Sequence, residues 1–156
     1  ELLEKNLIKL SENYYYIESH KVVLDLSTKR IWNIIETPIR EGGIRPPIVH
    51  ELLKFCELDL KSLKIFLKNL CAKHYLVQIA DNRFYLPETI VELAKIVEDT
   101  ADQNKSGAIT VNDFRNHTGI GRNLSIQVLE YFDSKKFTRR CQNKRYLLKK
   151  SEELFL

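Results

Sequence analysis

The sequence predicts a mostly α-helical chain with small β-hairpins, and three observations support this fold class. Apolar residues recur at helical spacing, as at Leu124, Val128 and Phe132. β-prone runs follow the helical stretches, and the last two flank a polar turn at 142–144. The order helix, then hairpin occurs more than once along the chain. A helix followed by a hairpin is the closing half of a winged helix, so we expect tandem winged helix-turn-helix domains.

Residues 1–25 are predicted to be the tail of a preceding winged helix and a connector. Residues 2–10 show an apolar pattern typical of a helix end followed by a strand, and 14–17 form a β-prone run after a turn. This stretch aligns with residues 73–86 if a shift of one residue is allowed. The chain has no Met and opens in what reads as the middle of a helix, so we expect a piece of a longer protein.

Residues 26–86 are predicted to form a complete winged-helix domain. Ser27 and Asp59 are expected to cap two of its helices, and Pro47 suits the first turn of another. Pro38 should end the first helix. The three helices and the hairpin, or wing, are expected at about 27–37, 47–56, 59–70 and 74–86.

Residues 87–156 are predicted to form the C-terminal winged helix, with its boundary at Pro87. Thr110 and Asp113 have the spacing of a capping box, and Gly119 is a good helix end. The next helix begins at 121–123, so that residues 118–121 become the turn of a helix-turn-helix. A shift of 62 residues places the apolar positions of the middle unit on those of the last one, which indicates an internal repeat.

Charge is concentrated in the last unit. Residues 115–150 contain ten Lys or Arg against two acidic residues, a net charge of +8, whereas the whole chain carries only +4. A basic face on one helix and hairpin is typical of a nucleic-acid contact. The predicted contact residues are Arg115, Gly121, Arg122, Asn123, Arg139, Arg140, Lys144 and Arg145.

The chemistry of these residues suits a sugar-phosphate backbone. A helix N-terminus has free N–H groups, Gly121 allows close approach, and Arg122 and Asn123 add directional donors. The alternative is that Asn123 only caps the helix and that Arg122 is solvated. Arg139 and Arg140 should point to opposite faces of a strand, so one of them is free to pair with an acidic side chain. Lys144 and Arg145 are expected at the hairpin tip.

The motif GxGRNxxIxxLEYFDxxxFTRRxxxKR, from Gly119 to Arg145, resembles the last winged helix of the selenocysteine-specific elongation factor SelB. This resemblance implies binding of the messenger-RNA hairpin that recodes UGA as selenocysteine, with the residues above as RNA contacts. It also implies an upstream portion that binds GTP and selenocysteyl-tRNA, the ribosome as a partner, a monomer and a cytoplasmic location.

Two alternatives stay open at this stage. A DNA-binding transcriptional regulator would read base edges along the whole 121–133 helix, where Glu130 would face phosphates badly. The middle unit could instead be a spacer, since its wing carries Ala80-Asp81-Asn82 rather than basic residues.

Catalysis and metal binding have little support in the sequence. Cys56, Cys71 and Cys141 lack the spacing of a zinc site, and the histidines are isolated. Neither a phosphate-loop motif nor a nucleophile elbow occurs. We therefore expect a binding module that is not an enzyme and has no cofactor, metal or membrane span.

Overall fold

The computed structural model describes residues 8–11, 14–17 and 23–155. Its helices are α1 (Leu26–Gly42), α2 (Val49–Leu52), α3 (Leu60–Ala72), α4 (Pro87–Gln103), α5 (Val111–Thr118), α6 (Arg122–Ser134) and α7 (Ser151–Phe155). Its strands are β1 (Ile8–Ser11), β2 (Tyr14–Ile17), β3 (Val77–Ala80), β4 (Arg83–Tyr85), β5 (Ala108–Ile109), β6 (Thr138–Cys141) and β7 (Lys144–Leu147).

The predicted fold class is confirmed: three helices and a hairpin occur twice in succession. The first set is α1 to β4, and the second runs from α4 to β7. Before them, β1 and β2 pair antiparallel, with Ile8 opposite Ile17. The expected helix end at 1–7 lies outside the described residues. Among those described, every helix is too short or too polar to cross a membrane.

The internal repeat is visible in the backbone. Helices α3 and α6 both have 13 residues and lie 62 positions apart. Each is followed by a non-glycine residue with positive φ, His74 at 63° and Lys136 at 59°. The next amide then bonds back to the helix, from Tyr75 N to Leu70 O and from Phe137 N to Phe132 O, both at 3.0 Å. The two units therefore use the same connection between helix and wing.

Helix α1 differs from the expectation at both ends. Its cap is Asp25 rather than Ser27, because the carboxylate of Asp25 accepts from the backbone N–H of Thr28 at 2.9 Å. Pro38 was expected to end the helix, and this is wrong: the helix continues to Gly42. A proline costs the helix one hydrogen bond, and the buried neighbours Ile35 and Ile39 keep this segment packed on the core.

The wing of the last unit has a third strand that the sequence did not predict. β5 pairs with β7, so the order in the sheet is β5-β7-β6.

The predicted capping box of α5 is confirmed, with Thr110 and Asp113 bonded to each other's backbone N–H. Gly119 ends α5 at φ 72°, as predicted.

The wing of the middle unit packs against the last unit. Tyr85 of β4 is fully buried in the core of the last unit, and Val77 and Ile79 of β3 pack against the same core. The hydroxyl of Tyr85 donates to the carbonyl of Ile44 at 3.0 Å. This wing therefore supports the last unit.

Candidate nucleic-acid interface

The N-terminus of α6 is open to solvent. Its first residue follows Gly121, which adopts extended backbone and supplies no side-chain cap. Gly121, Arg122 and Asn123 are all exposed. Asn123 lies inside the helix, so the capping role considered for it is wrong. The first N–H groups of α6 are thus left without a side-chain acceptor and give this end a partial positive charge.

Local contacts hold this helix end in place. The hydroxyl of Thr118 donates to the carbonyl of Phe114 at 2.7 Å, and Ile120 is buried in the core. A Cβ added at Gly121 would meet no described atom within 4 Å. Packing within the described chain does not require glycine there, and the missing side chain leaves room for a ligand.

The two wing arginines behave differently. Arg140 lies 4.0 Å from Glu130, and its Nε donates to the carbonyl of Gln142 at 3.0 Å. Arg139 is exposed, and it forms no ion pair with any described residue. The expectation that one of the two pairs with an acidic side chain is confirmed.

The predicted placement of Arg145 at the hairpin tip is wrong. Its side chain is 2% exposed, and Nε donates to Oδ2 of Asp133 at 2.9 Å. The turn consists of Gln142 and Asn143, since Cys141 pairs with Lys144. Arg145 therefore takes the inward position on β7, and the exposed Lys144 takes the outward one.

A cleft of about 400 Å³ lies between α5, α6 and the wing. It is lined by Thr110, Val111, Asn112, Arg122, Ile126, Glu130, Arg140, Asn143 and Arg145. It brings together three of the predicted contact residues, Arg122, Arg140 and Arg145. The other five, Arg115, Gly121, Asn123, Arg139 and Lys144, are exposed outside its lining.

The sequence interpretation missed three polar lining residues, Asn112, Glu130 and Asn143, as parts of a site. Asn143 had a local signal, because it lies in the wing turn. Asn112 and Glu130 meet the wing only through the fold, so their proximity could not be read from spacing.

Exposed cations remain on α5, α6 and the wing of the last unit. In the part of the chain that the structure describes, Arg115, Arg122, Arg139 and Lys144 are exposed and make no ion pair. The middle unit is different, because Lys64 of α3 pairs with Asp81 of its wing at 3.0 Å. The same contact lowers the pKa of Asp81.

Other chemistry has weak support in the described ranges. They contain no group of three or more His, Cys, Asp or Glu arranged to hold a metal ion. The Nδ1 atom of His117 lies 2.9 Å from the hydroxyl of Thr100, which itself donates to the carbonyl of Ile96 at 2.6 Å. The hydroxyl proton is thus committed to Ile96, so Nδ1 is the donor to Thr100.

Comparisons with known proteins agree on one family. A family model described as elongation factor SelB, winged helix, matches residues 103–147. The chain is 31% identical to the selenocysteine-specific elongation factor of Escherichia coli over 140 residues. It is 24% identical to that of Haemophilus influenzae over 151 residues. These matches cover 90% and 97% of the chain, but the chain spans only about a quarter of either relative's length.

Solved structures are similar as well. The mRNA-binding domain of E. coli SelB, determined in complex with SECIS RNA, superposes with a TM-score of 0.71 at 31% identity. That match covers 80% of this chain and 98% of the domain. A bacterial selenocysteine-specific elongation factor, EF-Sec, superposes with a TM-score of 0.55 at 19% identity, over 95% of this chain and 23% of that one.

Proposed function

Since the chain belongs to the SelB family of elongation factors, we propose that its last unit binds a structured messenger-RNA hairpin for selenocysteine insertion. The observation that carries the proposal is the open N-terminus of α6. It presents Gly121, Arg122 and Asn123 beside a wing that carries Arg139 and Lys144, two exposed cations with no ion pair to any described residue. These groups are placed to hold phosphates of a stem and loop.

The shape of this surface favours RNA over duplex DNA. A DNA reader lays its recognition helix along the major groove and uses side chains over several turns. Past Asn123, the polar residues of α6 include Ser125, which is fully buried, Gln127, which is partly buried, and Glu130, which faces the wing. The exposed donors Arg122 and Asn123 lie at the tip of the helix. A tip suits RNA, because the A-form major groove is too deep and narrow for a helix and recognition falls on loops and unpaired bases.

Membership of the same family supports a role within a longer protein. We propose that this chain acts as the C-terminal, non-catalytic part of a selenocysteine-specific elongation factor in the cytoplasm, with no cofactor or metal of its own. The partners of the whole protein would be GTP, selenocysteyl-tRNA and the ribosome. The chain itself would act as a monomer that tethers the factor to the message near a UGA codon.

The test uses RNA hairpins with one common stem and a randomised loop. The chain should select a subset of loops, and crosslinks should fall on the α6 tip and the wing. A fully paired RNA duplex and a DNA duplex of the same length are the controls at the same salt concentration. Equal or tighter binding of either duplex would overturn the proposal.

A further inference from the structure

We propose that Glu130 determines specificity by keeping phosphates out of the cleft between α5, α6 and the wing. The cleft is thereby reserved for the edge of an unpaired nucleobase. This inference rests on the proposed function and assigns a role to an acidic residue within a basic surface. Glu130 lines the cleft, and its side chain is 57% exposed.

The lining of the cleft fits a base better than a phosphate. A phosphate only accepts hydrogen bonds, so a phosphate site is built from donors. This cleft also offers acceptors, namely the carboxylate of Glu130 and the amide oxygens of Asn112 and Asn143. Val111 and Ile126 form an apolar part of the cleft wall. Donors, acceptors and apolar surface together match the edge and faces of a nucleobase.

Charge separates the cleft from its surroundings. Within the lining, Arg145 is paired with Asp133, and Arg140 lies 4.0 Å from Glu130. Arg122 is the one lining cation that has no acidic partner among the described residues. Outside the lining, Arg115, Arg139 and Lys144 are exposed and make no ion pair with any described residue. A phosphate is therefore attracted to the exposed cations outside the lining and repelled by the carboxylate inside the cleft.

Glu130 has little to do for the fold. It lies on an exposed position of α6, and its contact with Arg140 joins two side chains that are both more than half exposed. Ion pairs of that kind contribute little to stability. Glu130→Gln preserves the size of the side chain and removes the charge, so the variant should fold and isolate the electrostatic effect.

The experiment compares two RNAs, namely the tightest hairpin from the loop-randomised library and a fully paired RNA duplex of equal length. Glu130→Gln should bind the duplex about three- to tenfold more tightly than the wild type, because a phosphate gains access to Arg140. The slope of log K against log salt for the duplex should steepen by about one contact. The hairpin should gain less, so discrimination between the two RNAs should fall, by a factor no larger than the gain for the duplex.

Glu92→Gln is the matched control. Glu92 is exposed on α4, does not line the cleft, and its substitution changes the net charge by the same amount. Glu92→Gln should change the affinity for both RNAs by the same small factor. If Glu130→Gln also changes the affinity for both RNAs equally, so that discrimination stays intact, the inference is overturned while the proposed function stands. If the wild-type chain does not prefer the hairpin, the proposed function fails and the inference fails with it.

Discussion

Arg145 and Asp133 form an ion pair that fastens the wing of the last unit to its recognition helix. Nε of Arg145 donates to Oδ2 of Asp133 at 2.9 Å, and the two side chains are 2% and 20% exposed. The other carboxylate oxygen accepts from the hydroxyl of Thr138 at 2.7 Å. One carboxylate on α6 thus holds both β6 and β7, which fixes the width of the cleft between the helix and the wing.

The first prediction concerns this pair. Asp133→Ala leaves a buried guanidinium without its partner, and it should lower the free energy of unfolding by about 3–5 kcal/mol. Urea denaturation at pH 7 measures the change. Arg140→Ala, which removes only exposed contacts with Glu130 and the carbonyl of Gln142, is the control and should cost less than about 1 kcal/mol. Equal losses in the two variants would show that the buried pair has no special part in stability.

The middle unit shows how far the sequence could predict this arrangement. Apolar spacing alone placed Arg83 on Arg145 by a shift of 62, and the structure places both on the corresponding strand of their wings. The same shift places Cys71 where the last unit has Asp133. Without that carboxylate, Arg83 donates through Nη1 to the carbonyl of Pro46 at 2.6 Å, and its Nε is buried with no hydrogen-bond partner among the described residues. The apolar spacing was enough to predict the fold. The partner of each arginine could not be predicted in this way, because it depends on one distant residue, Cys71 in the middle unit and Asp133 in the last one.

Other features had signals of unequal strength. The caps at Asp59 and Thr110 could be predicted, because capping depends on residues within one turn. The two-residue strand β5 could not be predicted, because it exists only through its pairing with β7. In that pairing Ala108 lies opposite Tyr146, which is 38 residues later in the chain. The cleft is non-local in the same way, since Asn112 and Asn143 come from different elements.

The second prediction concerns pH and the starts of α1 and α3. The side-chain hydroxyls and backbone N–H groups of Ser27 and Thr28 hold the pKa of Asp25 far below its usual range. Ser62 lowers the pKa of Asp59 in the same way. A lowered folded-state pKa gives stability that is present above the unfolded pKa, about 3.9, and is lost as the pH falls through the folded value.

Acidification below about pH 4 should therefore lower the melting temperature of the wild-type chain through these caps. The double variant Asp25→Asn with Asp59→Asn keeps capping side chains that do not titrate. Circular dichroism melts between neutral and acidic pH should show a smaller acid-induced loss in this variant. Parallel curves for the two proteins would contradict a role of these carboxylates.

The third prediction concerns the middle wing as a support. Residues 87–156 alone would lack Tyr85, Val77 and Ile79, which pack on the core of the last unit. That fragment should melt at a lower temperature than the whole chain, and it should bind the selected hairpin more weakly. Tyr85→Ala in the whole chain should cost about 3–5 kcal/mol of unfolding free energy.

Tyr85→Phe is the matched control for that substitution. It keeps the ring and loses only the hydrogen bond to Ile44, so it should cost about 0.5–1.5 kcal/mol. An isolated last unit with the stability and affinity of the whole chain would show that the middle unit is only a spacer.

The fourth prediction concerns salt. Four exposed cations without an ion pair among the described residues, Arg115, Arg122, Arg139 and Lys144, are available for phosphates. Each neutralised phosphate contributes about −0.7 to −0.9 to the slope of log K against log salt, so four predict a slope of about −2.8 to −3.6. Binding of the selected hairpin should be titrated between about 50 and 200 mM salt. A flat response would refute binding through phosphates.

The last prediction distinguishes residues that recognise the loop sequence from a residue that only binds phosphates. Lys144 is a point charge on a flexible stem, so Lys144→Ala should weaken all hairpins alike and reduce the salt slope by about one contact. Arg122 and Asn123 hold directional donors at a fixed helix start. Replacing either by Ala should cost about 1–3 kcal/mol on the preferred hairpin and less on loop variants, so discrimination should shrink.

Helix capping does not confound this comparison, because the N-cap of α6 is Gly121 and Asn123 lies inside the helix. All three variants should therefore keep the melting temperature of the wild type, and each measured change belongs to binding. If Arg122→Ala and Asn123→Ala leave the ranking of hairpins unchanged, recognition must come from elsewhere on this surface. The exposed Arg139 on the wing is then the next residue to replace, because its neighbour Arg140 lines the cleft and its own guanidinium makes no ion pair with any described residue.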